Sequence, residues 1–120
     1  MAKHCILVSG PTIANDLELI DGLKKLSDVL LNFDNRQIET IITDTVSDII
    51  LLELSKNCGF EVEMIKRIVG RFPNIEIVLI DGNGDCELMA RAFAYGARDA
   101  FRKPYKTDLL LERVLALLAL

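Results

Sequence analysis

Several polar and charged residues follow apolar segments of the chain, in positions from which they could form one chemical site. Ser9 and Gly10 follow the first long apolar run, Glu53 the second and Asp81 the third, while Lys103 follows a shorter one. Two carboxylates and an ammonium can form an ion-pair cluster, and carboxylates are also ligands for hard cations. Which chemistry is possible depends on the elements that position these residues.

The apolar runs themselves predict β-strands. Continuous runs occupy Cys5–Val8, Ile49–Leu52 and most of Ile75–Ile80, and two shorter strands are predicted at Val29–Asn32 and Ala100–Arg102. Runs without polar alternation are typical of strands that helices cover on both faces. The three long runs therefore indicate the centre of a parallel sheet.

Amphipathic helices are predicted between these strands, because apolar residues recur there at helical spacing. The inward faces of the first three are predicted at Ile13, Leu17, Ile20 and Leu23, at Ile38, Ile41, Ile42 and Val46, and at Val62, Ile65, Ile68 and Val69. A fourth helix is predicted from Asp85, its N-cap, to Gly96, and a fifth from Thr107, also an N-cap, to Leu120.

The strict alternation of strands and helices predicts a doubly wound parallel α/β fold. In such folds ligands bind at the carboxyl ends of the strands. Ser9, Gly10, Glu53, Asp81 and the segment 102–105 are therefore expected at one edge of the sheet.

Length and composition limit the class of protein. With 120 residues, of which 51% are apolar, the chain suits one folded domain over residues 1–120. No apolar run reaches the roughly eighteen residues that a membrane span needs. The net charge of −4 argues against nucleic-acid binding, which requires clustered Lys or Arg. Three cysteines at wide spacing fit reduced thiols in a cytoplasmic protein.

Three stretches of the sequence together resemble the response-regulator receiver family. They are Asp48–Leu54, Phe72–Ile80 and Gly96–Pro104, the last with the pattern Gly-Ala-x-Asp-x-Phe-x-Lys-Pro. The resemblance extends over essentially the whole chain. It implies a three-layer flavodoxin-like sandwich with a five-stranded sheet in the order 2-1-3-4-5, and a cis peptide between Lys103 and Pro104.

The resemblance also assigns positions for phosphoryl transfer. Active receivers use a phosphoacceptor aspartate, two acids that hold Mg²⁺, a hydroxyl residue, a lysine and a switching aromatic residue. The corresponding residues in this chain are, in that order, Glu53, Ser9 and Gly10, Asp81, Lys103 and Ala100. Only the lysine matches, so the resemblance implies an atypical, CheY-like signalling module that is not phosphorylated in the ordinary way.

Electrostatics give the reason for this expectation. Mg²⁺ usually requires one or two carboxylates, and Ser9 with Gly10 supplies no charge. At about 4 Å and an effective dielectric constant of about 20, Asp81 would repel an incoming negative charge by on the order of 4 kcal/mol. We therefore expect no metal, no cofactor and no enzymatic activity. We predict instead that Glu53 and Asp81 share the ammonium of Lys103, which locks the domain in one state.

Other interpretations of these residues stay open. Glu53 could be a solvated carboxylate at the end of a strand, Asp81 could be a turn residue, and the two together could hold a hard cation. The turn 9–12 could bind an anion at a helix N-terminus, and Cys58 with Cys86 could have a redox role. The alternative functions are a phosphotransfer-competent regulator with unusual chemistry and a small-ligand- or anion-binding flavodoxin-like domain.

The last helix carries more apolar side chains than packing on a sheet requires. They are Leu109, Leu110, Leu111, Val114, Leu115, Leu117, Leu118 and Leu120. In receivers, the face formed by the fourth helix, fifth strand and fifth helix commonly mediates dimers or contacts an output domain. We expect Leu110, Leu111, Val114 and Leu118 to contact a protein partner, an output domain or a second copy of the chain. The alternative is a fully buried terminal helix.

Overall fold

The computed structural model describes residues 4–82 and 86–119, with the side chains of residues 86 and 87 left out. Within these ranges the chain forms five parallel strands in one sheet, in the order β2-β1-β3-β4-β5. The strands are β1 (Cys5–Ser9), β2 (Asp28–Asn32), β3 (Ile49–Glu53), β4 (Glu76–Asp81) and β5 (Asp99–Arg102). The predicted flavodoxin-like α/β architecture is confirmed.

Helices connect the strands, as the amphipathic spacing predicts. They are α1 (Leu17–Lys24), α2 (Ile38–Asp44), α3 (Gly59–Arg71), α4 (Cys86–Tyr95) and α5 (Thr107–Leu118), and short 3-10 turns at Ile13–Asn15 and Asn35–Gln37 precede α1 and α2. None of the helices in the described parts of the chain combines the length and the apolar character needed to cross a membrane.

The core lies on both faces of the sheet, which explains why the central strands are apolar at consecutive positions. Leu7, Ile50 and Leu52 pack in one layer with residues of α2, α3 and α4. Val8 and Leu51 point to the opposite layer, which is covered by α1 and α5. Successive side chains of a strand alternate between its faces, so a sheet covered on both sides needs apolar residues at every position.

Three predicted helix details differ from the structure. The first helix begins only at Leu17, after the 3-10 turn, and Leu17 is 72% exposed instead of inward-facing. The second helix ends at Asp44, so Val46 lies beyond it and is 73% exposed. The N-cap of α5 is Lys106, and Thr107 is the first helical residue. The predicted N-cap Asp85 lies outside the described residues.

Candidate functional site

The central strands end side by side at one edge of the sheet, and they place the predicted site residues there. Ser9 pairs in register with Leu52, so the end of β1 lies beside the end of β3. The backbone N–H of Lys103 donates to the carbonyl of Asp81 over 2.9 Å, which fixes the segment after β5 next to the end of β4. Parallel strands thus collect residues that are distant in sequence.

The carboxylate of Glu53 is bound by donors from the turn after β1. Its Oε1 accepts from the backbone N–H of Thr12 at 2.8 Å and from that of Ile13 at 3.2 Å. Its Oε2 accepts from the hydroxyl of Thr12. The anion site that the sequence suggested for this turn is therefore filled by the chain's own carboxylate.

Lys103 completes this arrangement from the opposite side of the sheet edge. Its ammonium forms an ion pair with Oε2 of Glu53 and donates to the hydroxyl of Thr12 at 2.7 Å. The peptide bond between Lys103 and Pro104 is cis, as the resemblance implies. The predicted pair of Glu53 and Lys103 is thus confirmed.

The environment of Glu53 favours its charged form. Burial raises the pKa of this carboxyl, but hydrogen bonds from Lys103, Thr12 and Ile13 outweigh burial and hold the pKa below its ordinary value. Only 4% of the residue is exposed. The alternative that Glu53 is a solvated strand-end carboxylate is therefore wrong.

Gly10 makes room for the carboxylate. A Cβ atom at position 10 would lie 2.3 Å from both Cβ and Oε1 of Glu53. The backbone of Gly10 also has φ 146°, in the region that strains residues with a side chain. Glu53 can therefore be buried in this position only because residue 10 has no side chain.

Ser9 belongs to a buried amide network that the sequence did not reveal. Its hydroxyl donates to Oδ1 of Asn35 at 2.7 Å and accepts from Nδ2 of Asn32 at 2.9 Å. Asn35 in turn donates to the backbone carbonyl of Glu53 at 2.8 Å. The network ties together the ends of β1, β2 and β3. Its signal in the sequence is weak, since an asparagine at the end of an edge strand and another soon after it also fit an ordinary turn.

Comparisons with known proteins support the fold strongly. No protein family model matches the chain, and no curated protein matches it. Among solved structures, a CheY-like receiver domain of Methanospirillum hungatei superposes with a TM-score of 0.86 at 16% identity, over 98% of this chain and 95% of that one. The chain has a receiver fold.

Two further structures have the same fold. An orphan response regulator of H. pylori gives a TM-score of 0.84 at 22% identity, over 96% of each chain. The response regulator DrrB of Thermotoga maritima, an OmpR/PhoB homologue, gives 0.81 at 21% identity, over 98% of this chain and 54% of that one. These likenesses concern the fold, because the sequence identities are low.

Within the receiver fold, the remaining predicted pocket residues lie at the expected edge but differ in burial. Asp81 is buried at the end of β4. Its ion pair with the ammonium of Lys103 stays a prediction. Ala100 is half-buried in β5, and its register partner is Leu79. Pro104 lines the wall of a groove beside Lys103.

The residues present do not fit the magnesium ion that receiver folds commonly hold. The hydroxyl of Ser9 is fully buried and bonded to both asparagines of its network, and Gly10 has no side chain. Both carboxylate oxygens of Glu53 already accept hydrogen bonds. The acidic oxygen ligands that Mg²⁺ requires are missing from the end of β1.

The last helix is only partly available for contacts. Leu110 and Val114 are completely buried against the sheet, so the prediction that they form an interface is wrong. Leu111 and Leu118 are half-buried against the same layer, and their interface role stays a prediction. Among the described residues of α5, the exposed large apolar side chains are Leu109 and Leu115.

A second polar contact beside the site was also missed. The hydroxyl of Tyr105 donates to the carboxylate of Asp16, the N-cap residue of α1. Burial and then this hydrogen bond to Asp16 raise the pKa of Tyr105 above its ordinary range. Together with Lys103, these two residues line a groove of about 520 Å³. The Lys-Pro-Tyr run lies in the segment that carries the resemblance, but a sequence alone gives no partner for the phenol.

Proposed function

We propose that this domain is a receiver-like signalling module of a two-component or phosphorelay system that works without phosphorylation. The receiver fold supports the general role. One observation carries the specific claim: the carboxylate of Glu53 occupies the centre of the site and is bound by Thr12, Ile13 and Lys103. This contact opposes the requirements of phosphoryl transfer.

Both oxygens of the bound carboxylate are already engaged, Oε1 by the backbone N–H groups of Thr12 and Ile13 and Oε2 by the Thr12 hydroxyl and Lys103. Phosphoryl transfer needs an in-line nucleophile and cations that neutralise the transferring oxygens. Here the ammonium of Lys103 already neutralises Glu53. A phosphoryl group would bring roughly 1.5 to 2 further negative charges without a matching cation.

The packing at Gly10 supports the same conclusion. An acid at this position would need a Cβ atom, and that atom would overlap Glu53. A metal-binding acid at position 10 and the observed glutamate therefore exclude each other in this backbone arrangement. The absence of an acid at position 10 is therefore structurally coupled to the ion pair between Glu53 and Lys103.

A module of this kind acts through protein contacts and catalyses no reaction. The exposed Leu115 of α5 offers an apolar contact to a partner protein, an output domain or a second copy of the chain. DrrB, of which this chain matches 54%, is a longer response regulator. The reduced-thiol composition supports a cytoplasmic location.

The test is incubation with a small acyl-phosphate donor and Mg²⁺, followed by separation on a phosphate-affinity gel. We expect no shifted band for the natural chain and none for Glu53→Gln. A receiver with an intact acid pair serves as the positive control. A Mg²⁺-dependent band that appears with the natural chain and disappears with Glu53→Gln would overturn the proposal.

A further inference from the structure

A groove lies between α1 and α5, on the side of α5 away from β5. Arg113 of α5 pairs with Asp99 of β5 at 2.7 Å, which fixes the opposite side of the helix toward α1. The groove has a volume of about 360 Å³. We call it the α1–α5 groove, and its lining residues are Gly22, Lys25, Leu26, Asp108, Leu111, Glu112 and Leu115.

The floor of the α1–α5 groove is apolar and open to solvent. Leu115 is 54% exposed, and Leu26 and Leu111 are only half-buried. The two helices approach closely here because Gly22 has no side chain, and a Cβ atom would lie 2.5 Å from Cδ1 of Leu111. The surface therefore offers a shallow apolar depression beside a protruding leucine.

The acidic and basic residues around the groove lie at opposite ends of it. The helices α1 and α5 cover the same face of a parallel sheet and run in the same direction. Asp108 and Glu112 lie in the first half of α5, whereas Lys24 and Lys25 lie at the end of α1. One end of the groove is thus acidic and the other basic.

We propose that the α1–α5 groove is the contact surface of a homodimer. A two-fold axis perpendicular to the helices would set the copies antiparallel, so that each Leu115 enters the groove of the other copy. The same axis brings the basic end, with Lys25, opposite the acidic end, with Asp108. A surface that carries both signs at opposite ends is complementary to itself under this operation.

The other side of α5 is less suited to a second copy. Arg102 at the end of β5 and Lys106 after it are both exposed, whereas the exposed Arg98 is paired with Glu76 at 3.9 Å. In an isologous contact, the exposed cations of the two copies would lie close together there and repel each other. This inference goes beyond the proposed function, because a monomeric chain would leave the argument about Glu53 intact.

Sedimentation equilibrium over a concentration series tests the proposal. We expect the natural chain to dimerise, and Leu115→Glu to raise the dissociation constant by about tenfold or more. Leu109→Glu is the matched control, since this leucine is 51% exposed on the same helix and does not line the groove. Both substitutions are at exposed positions, and circular dichroism checks that both variants fold.

Charge reversal provides a second, independent measurement. Lys25→Glu and Asp108→Lys should each weaken the dimer by about tenfold, since each places like charges opposite each other in two symmetric contacts. The double variant should return to within about threefold of the natural chain. A natural chain that stays monomeric, a Leu109→Glu that dissociates the dimer, or a double variant without recovery would each overturn the proposal.

Discussion

Glu53 is a buried carboxylate whose charge is stabilised by donors from two distant segments. Its partners Thr12 and Lys103 are 41 and 50 positions away in the sequence. Burial alone would favour the neutral acid, but charge-assisted hydrogen bonds favour the anion and prevail. At the scale of the residue, this is the interaction on which the proposed function depends.

Replacement of Glu53 by glutamine should destabilise the protein in a pH-dependent way. The folded pKa lies below the unfolded value of about 4.3, so the stabilisation is complete above that pH and is lost as the pH falls through the folded pKa. At pH 7 we expect Glu53→Gln to lower the free energy of unfolding by about 1–3 kcal/mol. Urea unfolding followed by circular dichroism from pH 7 to pH 3 measures it.

The exposed Glu63 provides the control for this series. Glu63→Gln should change the free energy of unfolding by no more than about 0.5 kcal/mol at either end of the pH range. The difference between the natural chain and Glu53→Gln should become smaller in acid. A difference that stays constant down to pH 3 would contradict an ionised Glu53.

Gly10 should tolerate no side chain. Gly10→Ala would place a side chain on a backbone with positive φ and a Cβ atom 2.3 Å from Glu53. We therefore expect it to lower the free energy of unfolding by roughly 2 kcal/mol or more. A Cβ atom at Gly70, in α3, would instead meet no atom within 4 Å beyond its chain neighbours and the backbone of its own helix. Gly70→Ala should therefore stabilise the helix by about 0.5–1 kcal/mol. Thermal unfolding of both variants measures the contrast, and equal effects would show that Gly10 is not constrained.

At the scale of elements, the hydrogen bond between Tyr105 and Asp16 joins the start of α1 to the loop before α5. Asp16 already caps α1, because its Oδ1 accepts from the backbone N–H of Leu19 at 3.2 Å. Its second oxygen accepts from the phenol. One carboxylate thus fixes the start of one helix and the approach to another.

The phenol of Tyr105 should resist ionisation at high pH. Burial and the adjacent Asp16 raise its pKa, so this contribution to stability is complete below about pH 10 and is lost as the pH rises through the folded value. An ultraviolet titration of the folded chain should show a tyrosine component that ionises late. Tyr105→Phe should remove this component and Tyr95→Phe should retain it. The opposite pattern would place the protected phenol elsewhere.

At the scale of the whole molecule, the parallel sheet brings the site together. Thr12 and Lys103 are in contact although 91 positions separate them. The donors come from the turn after β1 and the segment after β5, and the acceptor is at the end of β3. The strand order fixes where each of these segments lies. A change of strand order would separate these groups without changing a single residue.

The strands could be predicted where helices cover both faces of the sheet, because such a strand is apolar at consecutive positions. The runs at Ile49–Leu52 and Ile75–Ile80 predicted central strands, and the structure has β3 and β4 there. Leu17 and Val46 were predicted inward but are exposed, because the 3-10 turn before α1 and the early end of α2 shift the helical register. Periodicity detects a helix more reliably than it detects its ends.

The sequence by itself determined the alternation of strands and helices, the residues that reach the edge of the sheet, and the presence of the uncharged Ser9 and Gly10 at the end of the first strand. Only the tertiary structure decided that the carboxylate of Glu53 binds Thr12 and occupies the space that a side chain at position 10 would need. It also decided that Leu110 is buried while Leu115 is exposed. Hydrophobic periodicity is local and can be read along the chain. Hydrogen-bond partners and helix faces depend on distances between remote segments, and those distances exist only after the sheet has formed.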